Sequence, residues 1–127
     1  MAKFQLSESV VKMTLYDIVK YQIITYCYTN RIQVNESDLD CLTILAMLGE
    51  TELTEFCLVA TEKRIFKSTQ AVRNCIVKLE KVNLVQKEGK TKKKILVNPD
   101  MKLLNAGNIL IVNKFIYFDT SKVEGNT

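Results

Sequence analysis

The side chains most able to do selective chemistry fall on one stretch, Ser68–Val82 (STQAVRNCIVKLEKV). Placed on a helix, Val72, Cys75, Ile76 and Leu79 recur at i, i+3, i+4 and i+7 and line one face. The other face carries Gln70, Arg73, Asn74, Val77, Lys78 and Lys81. A carboxamide can bond an adenine edge through two hydrogen bonds, a guanidinium can do the same to guanine, and lysines reach phosphates. Gln70, Arg73 and Asn74 are therefore candidates for contacts to DNA base edges. Lys67, Ser68, Thr69, Lys78 and Lys81 are candidates for the phosphate backbone beside the groove. Gln70 and Asn74 also have a plain reading as solvated helix surface.

The residues that follow extend this basic face. Asn83 stands where a helix end wants positive φ, a conformation asparagine tolerates. Leu84–Glu88 reads as a strand, Gly89–Lys92 as a turn, and Lys93–Asn98 as a returning strand stopped by Pro99. Lys90, Lys92, Lys93 and Lys94 crowd the tip of this hairpin and repel one another unless an anion neutralises them, which makes them further backbone candidates.

Other chemistries find little support. The 127 residues include no histidine, which removes Ser-His and Cys-His nucleophiles, a histidine general base and most mixed zinc sites. Cys27, Cys41, Cys57 and Cys75 form no CxxC pair and sit among apolar neighbours, so they read as small core residues in a reducing compartment, with no metal and no cofactor. The acidic pairs Asp38/Asp40 and Glu50/Glu52 read as helix N-terminal and loop solvation rather than acid–base machinery. Four scattered glycines leave no phosphate-binding loop. Enzymatic activity is not expected.

The net charge of +4 hides its own distribution. Residues 1–60 carry four basic and eight acidic side chains, a net of −4. Residues 61–94 carry eleven and three, a net of +8, and residues 95–127 balance at zero. Such asymmetry within one short chain suggests a polyanion-binding face.

The elements that must position this face lie on either side of it. Residues 10–34 read as one long helix with Val11, Leu15, Ile18, Val19, Ile23 and Tyr26 on its apolar stripe. Tyr16, Tyr21, Ile24 and Tyr28 fall off that stripe, and a helix apolar nearly all round is either buried centrally or shared with a second subunit. A second helix starts at Ser37 as N-cap, buries Leu39, Leu42, Ile44, Leu45 and Leu48, and stops at Gly49. Leu53, Phe56, Cys57, Val59 and Ala60 mark a third, joined to the basic helix by Ile65–Phe66–Lys67. Near the end, Ile109–Val112 and Phe115–Phe118 read as two short strands or one continuous strand, apolar enough to want cover, which the tyrosine-rich first helix could give.

Three helices, the last with a polar free face, followed by a lysine-laden hairpin describe a winged helix-turn-helix: α+β, mainly helical, with a basic β-hairpin wing, an N-terminal helix and a C-terminal β extension. The expectation is a single domain over residues 1–121, with its core at 37–98, the N-terminal helix at 10–34, C-terminal strands at 108–119 and a flexible tail at 122–127. In such an arrangement the third helix enters the major groove and the wing follows the backbone.

The run QAVRNCIVKLEKVNLVQKEG also resembles the recognition helix and wing entry of MarR-type bacterial regulators. Those commonly show a Thr-Val pair, an apolar pair three residues on, then Leu-Glu-Lys-x-Gly-Leu-Val. Val72, Cys75, Ile76, Leu79, Glu80, Lys81, Leu84 and Val85 fall in register with that pattern, while Ala71 stands where Thr is common and Asn83 where Gly is usual. The resemblance covers roughly residues 37–98. The segment ILVNPDMKL, from Ile95, is similar to the strand-then-Asn-Pro ending of winged-helix replication initiators of Gram-positive plasmids. MarR-type regulators close with long dimerising helices, whereas this chain ends in the two apolar runs above, so their dimer geometry does not carry over.

The expected function is binding of double-stranded DNA, as a transcriptional regulator or a replication-associated factor of bacterial or phage-like origin. The alternative is a winged-helix module for protein interaction within a larger assembly, for which Tyr16, Tyr21 and Tyr28 would suit an interface. A homodimer through residues 10–34 and 108–119 is a further expectation. No apolar run approaches a bilayer span and Met1–Val10 lacks a signal-peptide core, so a soluble, cytoplasmic protein is expected.

Overall fold

Burial of the apolar stripes sets the order of the layers. The computed structural model describes residues 2–5, 12–90, 93–106, 109 and 115–118. Its elements are β1 (Ala2–Gln5), α1 (Leu15–Thr29), α2 (Glu36–Leu48), β2 (Thr51–Glu52), α3 (Leu53–Glu62), α4 (Thr69–Lys81), β3 (Val85–Glu88), β4 (Lys94–Val97) and β5 (Phe115–Phe118), with a 3-10 turn at Pro99–Met101. The protein is α+β. Its described residues fall into two compact units, one within residues 13–107 and the other built from β1 and β5. In the smaller unit β1 and β5 pair antiparallel, Ala2 opposite Phe118 and Gln5 opposite Phe115. Phe115–Phe118 is thus a strand as its apolar run suggests, whereas Ile109 has no regular structure. Residues 110–112, the expected tail 122–127 and Thr91–Lys92 of the hairpin lie outside the described residues.

Within the larger unit the central helix is α2, not the tyrosine-rich α1. Leu39, Cys41, Leu42, Ile44, Leu45 and Ala46 are all buried, covering the helix on nearly every side. α1 buries only Val19, Ile23 and Cys27, one stripe of an ordinary amphipathic helix. α3 adds Phe56, Cys57 and Ala60, and α4 adds Val72, Cys75, Ile76 and Leu79 at the spacing read from the sequence. Leu84, Val85, Ile95 and Met101 complete the core. Buried polar groups are satisfied: the Thr43 hydroxyl donates to the Leu39 carbonyl at 2.7 Å, one turn back.

A three-stranded antiparallel sheet of order β2-β4-β3 closes the unit. β4 is the middle strand, with Val97 opposite Val85, Ile95 opposite both Lys87 and Thr51, and Lys94 opposite both Glu88 and Glu52. The two residues of β2 carry no strand signal of their own. They are held by β4, and the Leu53 N–H continues the ladder to the Lys93 carbonyl at 2.8 Å.

The helices begin and end at positions that satisfy orphan backbone groups. Of the helix expected over 10–34, residues 10–11 lie outside the described residues, and the described part is helical over Leu15–Thr29, because Thr14 caps it and Arg31 turns it off. α2 is capped by Asn35 rather than Ser37: Asn35 accepts from the Asp38 N–H at 2.8 Å while Asp38 accepts from the Asn35 N–H at 3.0 Å, a reciprocal capping box. Of the two hydroxyl residues able to cap α4, Ser68 and Thr69, it is Ser68 that does so, accepting from the Ala71 N–H at 3.2 Å.

Three helices share one ending. Arg31, Arg64 and Asn83 adopt left-handed backbone (φ 57, 62 and 62) after α1, α3 and α4. In each case the next residue donates to a carbonyl five positions back: Ile32 to Cys27, Ile65 to Ala60 and Leu84 to Leu79. That is the Schellman arrangement, in which an apolar residue past the reversal folds back onto the helix. α2 instead stops at Gly49, whose φ of 77 with ψ of −157 is open essentially to glycine alone. Asn98 ties the end of β4 to the third reversal, its side-chain N–H donating to the Asn83 carbonyl at 2.8 Å.

The left-handed residue at Asn83 yields a direct test. Asn83→Val, β-branched at positive φ, should lower stability by about 1–2 kcal/mol, whereas Asn83→Gly should be neutral or stabilising. Urea denaturation of the two variants checks the difference.

Candidate nucleic-acid interface

α4 presents two unlike sides because its periodicity is strict. The buried side docks on α2 and α3, and the residues on the far side, Gln70, Asn74, Val77 and Lys81, stay exposed. Gln70 Nε2 donates to Asn74 Oδ1 at 2.9 Å, so the two carboxamides stand together across one turn. Val77 follows on the same strip and is 44% exposed.

The two edges of this strip are engaged with the core. On one edge Arg73 is half-buried on the α3 side. Burial pushes the Cys57 thiol pKa up, and the positive charge of Arg73 acts in the opposite direction. On the other edge Lys78 Nζ donates to Asp38 Oδ2 at 2.6 Å, and Cys75 Sγ donates to Asp38 Oδ1 at 3.3 Å. Asp38 is only 2% exposed, so it is no solvated N-terminal acid; it is the anchor between the start of α2 and the middle of α4. Burial by itself would raise its pKa, but the hydrogen bonds from Lys78, the Asn35 backbone and Cys75 outweigh burial and hold the carboxyl below its ordinary value. The same bond raises the pKa of Lys78.

A second charged cluster supports α2 from the α1 side. Lys20 pairs with Glu36 and, at 3.1 Å, with Asp40. Tyr16 donates to Asp40 at 2.5 Å, and burial followed by this bond pushes the phenol pKa up. The acidic first turn of α2 is therefore neutralised by Lys20 and Lys78, while its negative charges still favour the positive end of the helix dipole. All four thiols are free and buried, and the Cys41 pKa is raised by its hydrogen bond with Cys75 and by burial.

The remaining expected contact residues sit as follows. Lys67 and Thr69 are exposed at the entrance to α4, and Ser68 is exposed with its hydroxyl oxygen occupied as the cap. Lys90, Lys93 and Lys94 are exposed on the hairpin, and Lys92 lies outside the described residues. Lys87 is half-buried beside Glu80, 3.7 Å away, a surface pair of the kind that contributes only about 0.2–1 kcal/mol. The fold thus keeps Gln70 and Asn74 together on an open strip, with Lys81 further along it; Arg73 is half-buried at one edge, and Lys78 is exposed at the other with its ammonium on Asp38. Lys63 and Arg64, exposed at the end of α3, entered the sequence reading only as part of the +8 segment; that charge count was the one signal that could have singled them out.

Among the described residues no group of three or more acidic or cysteine side chains is placed to hold a metal ion. No helix is long and apolar enough to cross a membrane among them either. Comparison with known proteins returns no match to the chain from family models, curated proteins or solved structures.

The Asp38–Lys78 pair predicts a pH dependence. Because the folded-state pKa of Asp38 is depressed, its contribution is present above the ordinary aspartate pKa of about 3.9 and is lost as pH falls through the depressed value. Asp38→Asn should cost about 1.5–3 kcal/mol at pH 7, the range for hydrogen bonds to a charged group. The gap from the parent protein should close in strong acid, where Asp38 is itself neutral. Denaturant midpoints at pH 7 and below pH 3 check this, and a gap independent of pH would remove Asp38 from its anchoring role.

Proposed function

We propose that the chain is a winged helix-turn-helix protein that binds double-stranded DNA, serving as a small transcriptional regulator or a replication-associated factor. The observation that carries this reading is the exposed strip of α4, Gln70, Asn74, Val77 and Lys81, followed in the chain by a lysine-bearing hairpin. The order helix, short strand, helix, helix, strand, strand, with the first strand paired to the last, is the order such a fold requires. The resemblance of Gln70–Gly89 to the recognition helix and wing of MarR-type regulators supports the same reading.

In this mechanism α4 enters the major groove and its carboxamides meet base edges, with Arg73 reaching the groove from its flank. Phosphate contacts fall to Lys67, Lys81, Lys90, Lys92, Lys93 and Lys94, together with the hydroxyl of Thr69 and the exposed Ser68. Lys78, expected among them, already has its ammonium on Asp38 and acts first as a strut. Four free thiols fit a reducing cytoplasm, where lysine-rich faces meet DNA. α1 leaves Ile24 and Tyr28 exposed, Tyr28 at 86%, and these supply a surface for a second copy of the chain. The same two side chains favour the second reading, a winged-helix protein-interaction module.

About six phosphate contacts predict a slope of log K against log salt near −5, from roughly 0.9 per contact. Lys93→Ala with Lys94→Ala should weaken binding to all duplexes alike and flatten the slope by about 2. Gel shifts across a salt series measure both quantities. Absence of binding to any duplex at low salt rejects the reading in favour of the interaction module.

A further inference from the structure

The open strip of α4 has a composition that favours one kind of base pair. Gln70 and Asn74 are joined by one hydrogen bond, which leaves the Gln70 carbonyl oxygen as an open acceptor and the Asn74 amide as an open donor. Reversing both amides would leave the same complement, one acceptor and one donor side by side. Val77 stands about 4.5 Å further along the axis on the same strip, close to the 3.4 Å rise of one base pair. Val77 is 44% exposed, an apolar side chain on the same strip as the two amides and Lys81. The groups suited to guanine stand at the edges of the strip rather than along it: Arg73 is half-buried on the α3 side, and the exposed Lys78 has its ammonium on Asp38.

We infer that the strip reads an A·T-containing step, with the coupled Gln70–Asn74 amides addressing a single adenine and Val77 packing on the methyl group of a thymine in the same or the neighbouring base pair. This assignment rests on the DNA-binding reading above. Adenine presents a donor at N6 and an acceptor at N7, complementary to the open acceptor and donor of the amide pair. Guanine presents two acceptors, O6 and N7, so the open carbonyl would face an oxygen. Thymine alone carries the C5 methyl group in the major groove. Because each amide holds the other in place, the two act as one reader, and losing either should remove most of the discrimination.

Selection of duplexes from a random pool by the full-length protein, followed by fluorescence anisotropy with altered duplexes, tests the assignment. The selected motif should contain an A·T step whose replacement by G·C weakens binding roughly 5- to 150-fold, the range for one good bidentate contact. Gln70→Ala and Asn74→Ala should each abolish nearly all of that preference, so that the selected and G·C-substituted duplexes bind alike. Replacing the critical thymine by uracil, which lacks only the methyl group, should cost the parent protein about four-fold and Val77→Ala nothing. Binding with no A·T preference, or a preference untouched by all three substitutions, overturns this assignment and leaves the DNA-binding reading standing. No binding to any duplex at low salt overturns both.

Discussion

The carboxylate of Asp38 is where the geometry of the larger unit is settled. It closes the first turn of α2 by bonding back to the Asn35 N–H, and it accepts from Cys75 and Lys78 on α4. Desolvation opposes a charge at this depth, and only the sum of those donors keeps it ionised. If α4 rotated about its axis or slid by a turn, the charge would remain buried without its partners, at a cost of several kcal/mol. The apolar residues of α4 would accept a range of small rotations; the carboxylate does not. One buried ion thus sets which side chains of α4 face outward.

The rest of the frame serves the same end by satisfying backbone groups where chain direction changes. The three reversals at Arg31, Arg64 and Asn83 each send an apolar residue back towards the core, so the loops are held by burial as well as by hydrogen bonds. Asn98 fastens the third reversal to the end of β4 and caps the following turn by accepting from the Asp100 N–H at 3.0 Å. The strands β3 and β4 are therefore tied to a fixed point beside the end of α4. Buried thiols fill the space between helices as neutral, small apolar groups, with the pKa of Cys27, Cys41 and Cys57 raised by their surroundings.

Much of α4 and the hairpin was legible in the sequence, because the signals there are local. The i, i+3, i+4 recurrence from Val72 to Leu79, the cap at Ser68 and the asparagine at position 83 each act within a turn of helix. The misreadings occur where two local choices were equally good or where a partner far along the chain decides. Asn35 and Ser37 can both cap a helix; Asn35 prevails because it puts Asp38 where Asn35 and Lys78 can both reach it. Arg31 and Arg64 carry no glycine-like signal for a left-handed residue. β2 is two residues long and exists through β4, while β1 exists through β5, at the opposite end of the chain. The tyrosines of α1 fitted either a central helix or one shared with a second subunit; the central place goes to α2, because Tyr16 finds Asp40 at the rim and Tyr28 faces solvent.

By itself the sequence determined the helices of the larger unit, the hairpin, the concentration of positive charge after residue 60 and the absence of histidine chemistry, since periodicity, turn residues and composition are properties of short stretches. Only the tertiary structure decided which charges remain available. Lys20 pairs with Glu36 and Asp40, Lys87 with Glu80 and the exposed Lys78 with Asp38, whereas Lys67, Lys81, Lys90, Lys93 and Lys94 are exposed with no such ion pair among the described residues. The physical reason is that the interaction between two charges depends on their separation and on the water between them, and neither can be read from their order along the chain.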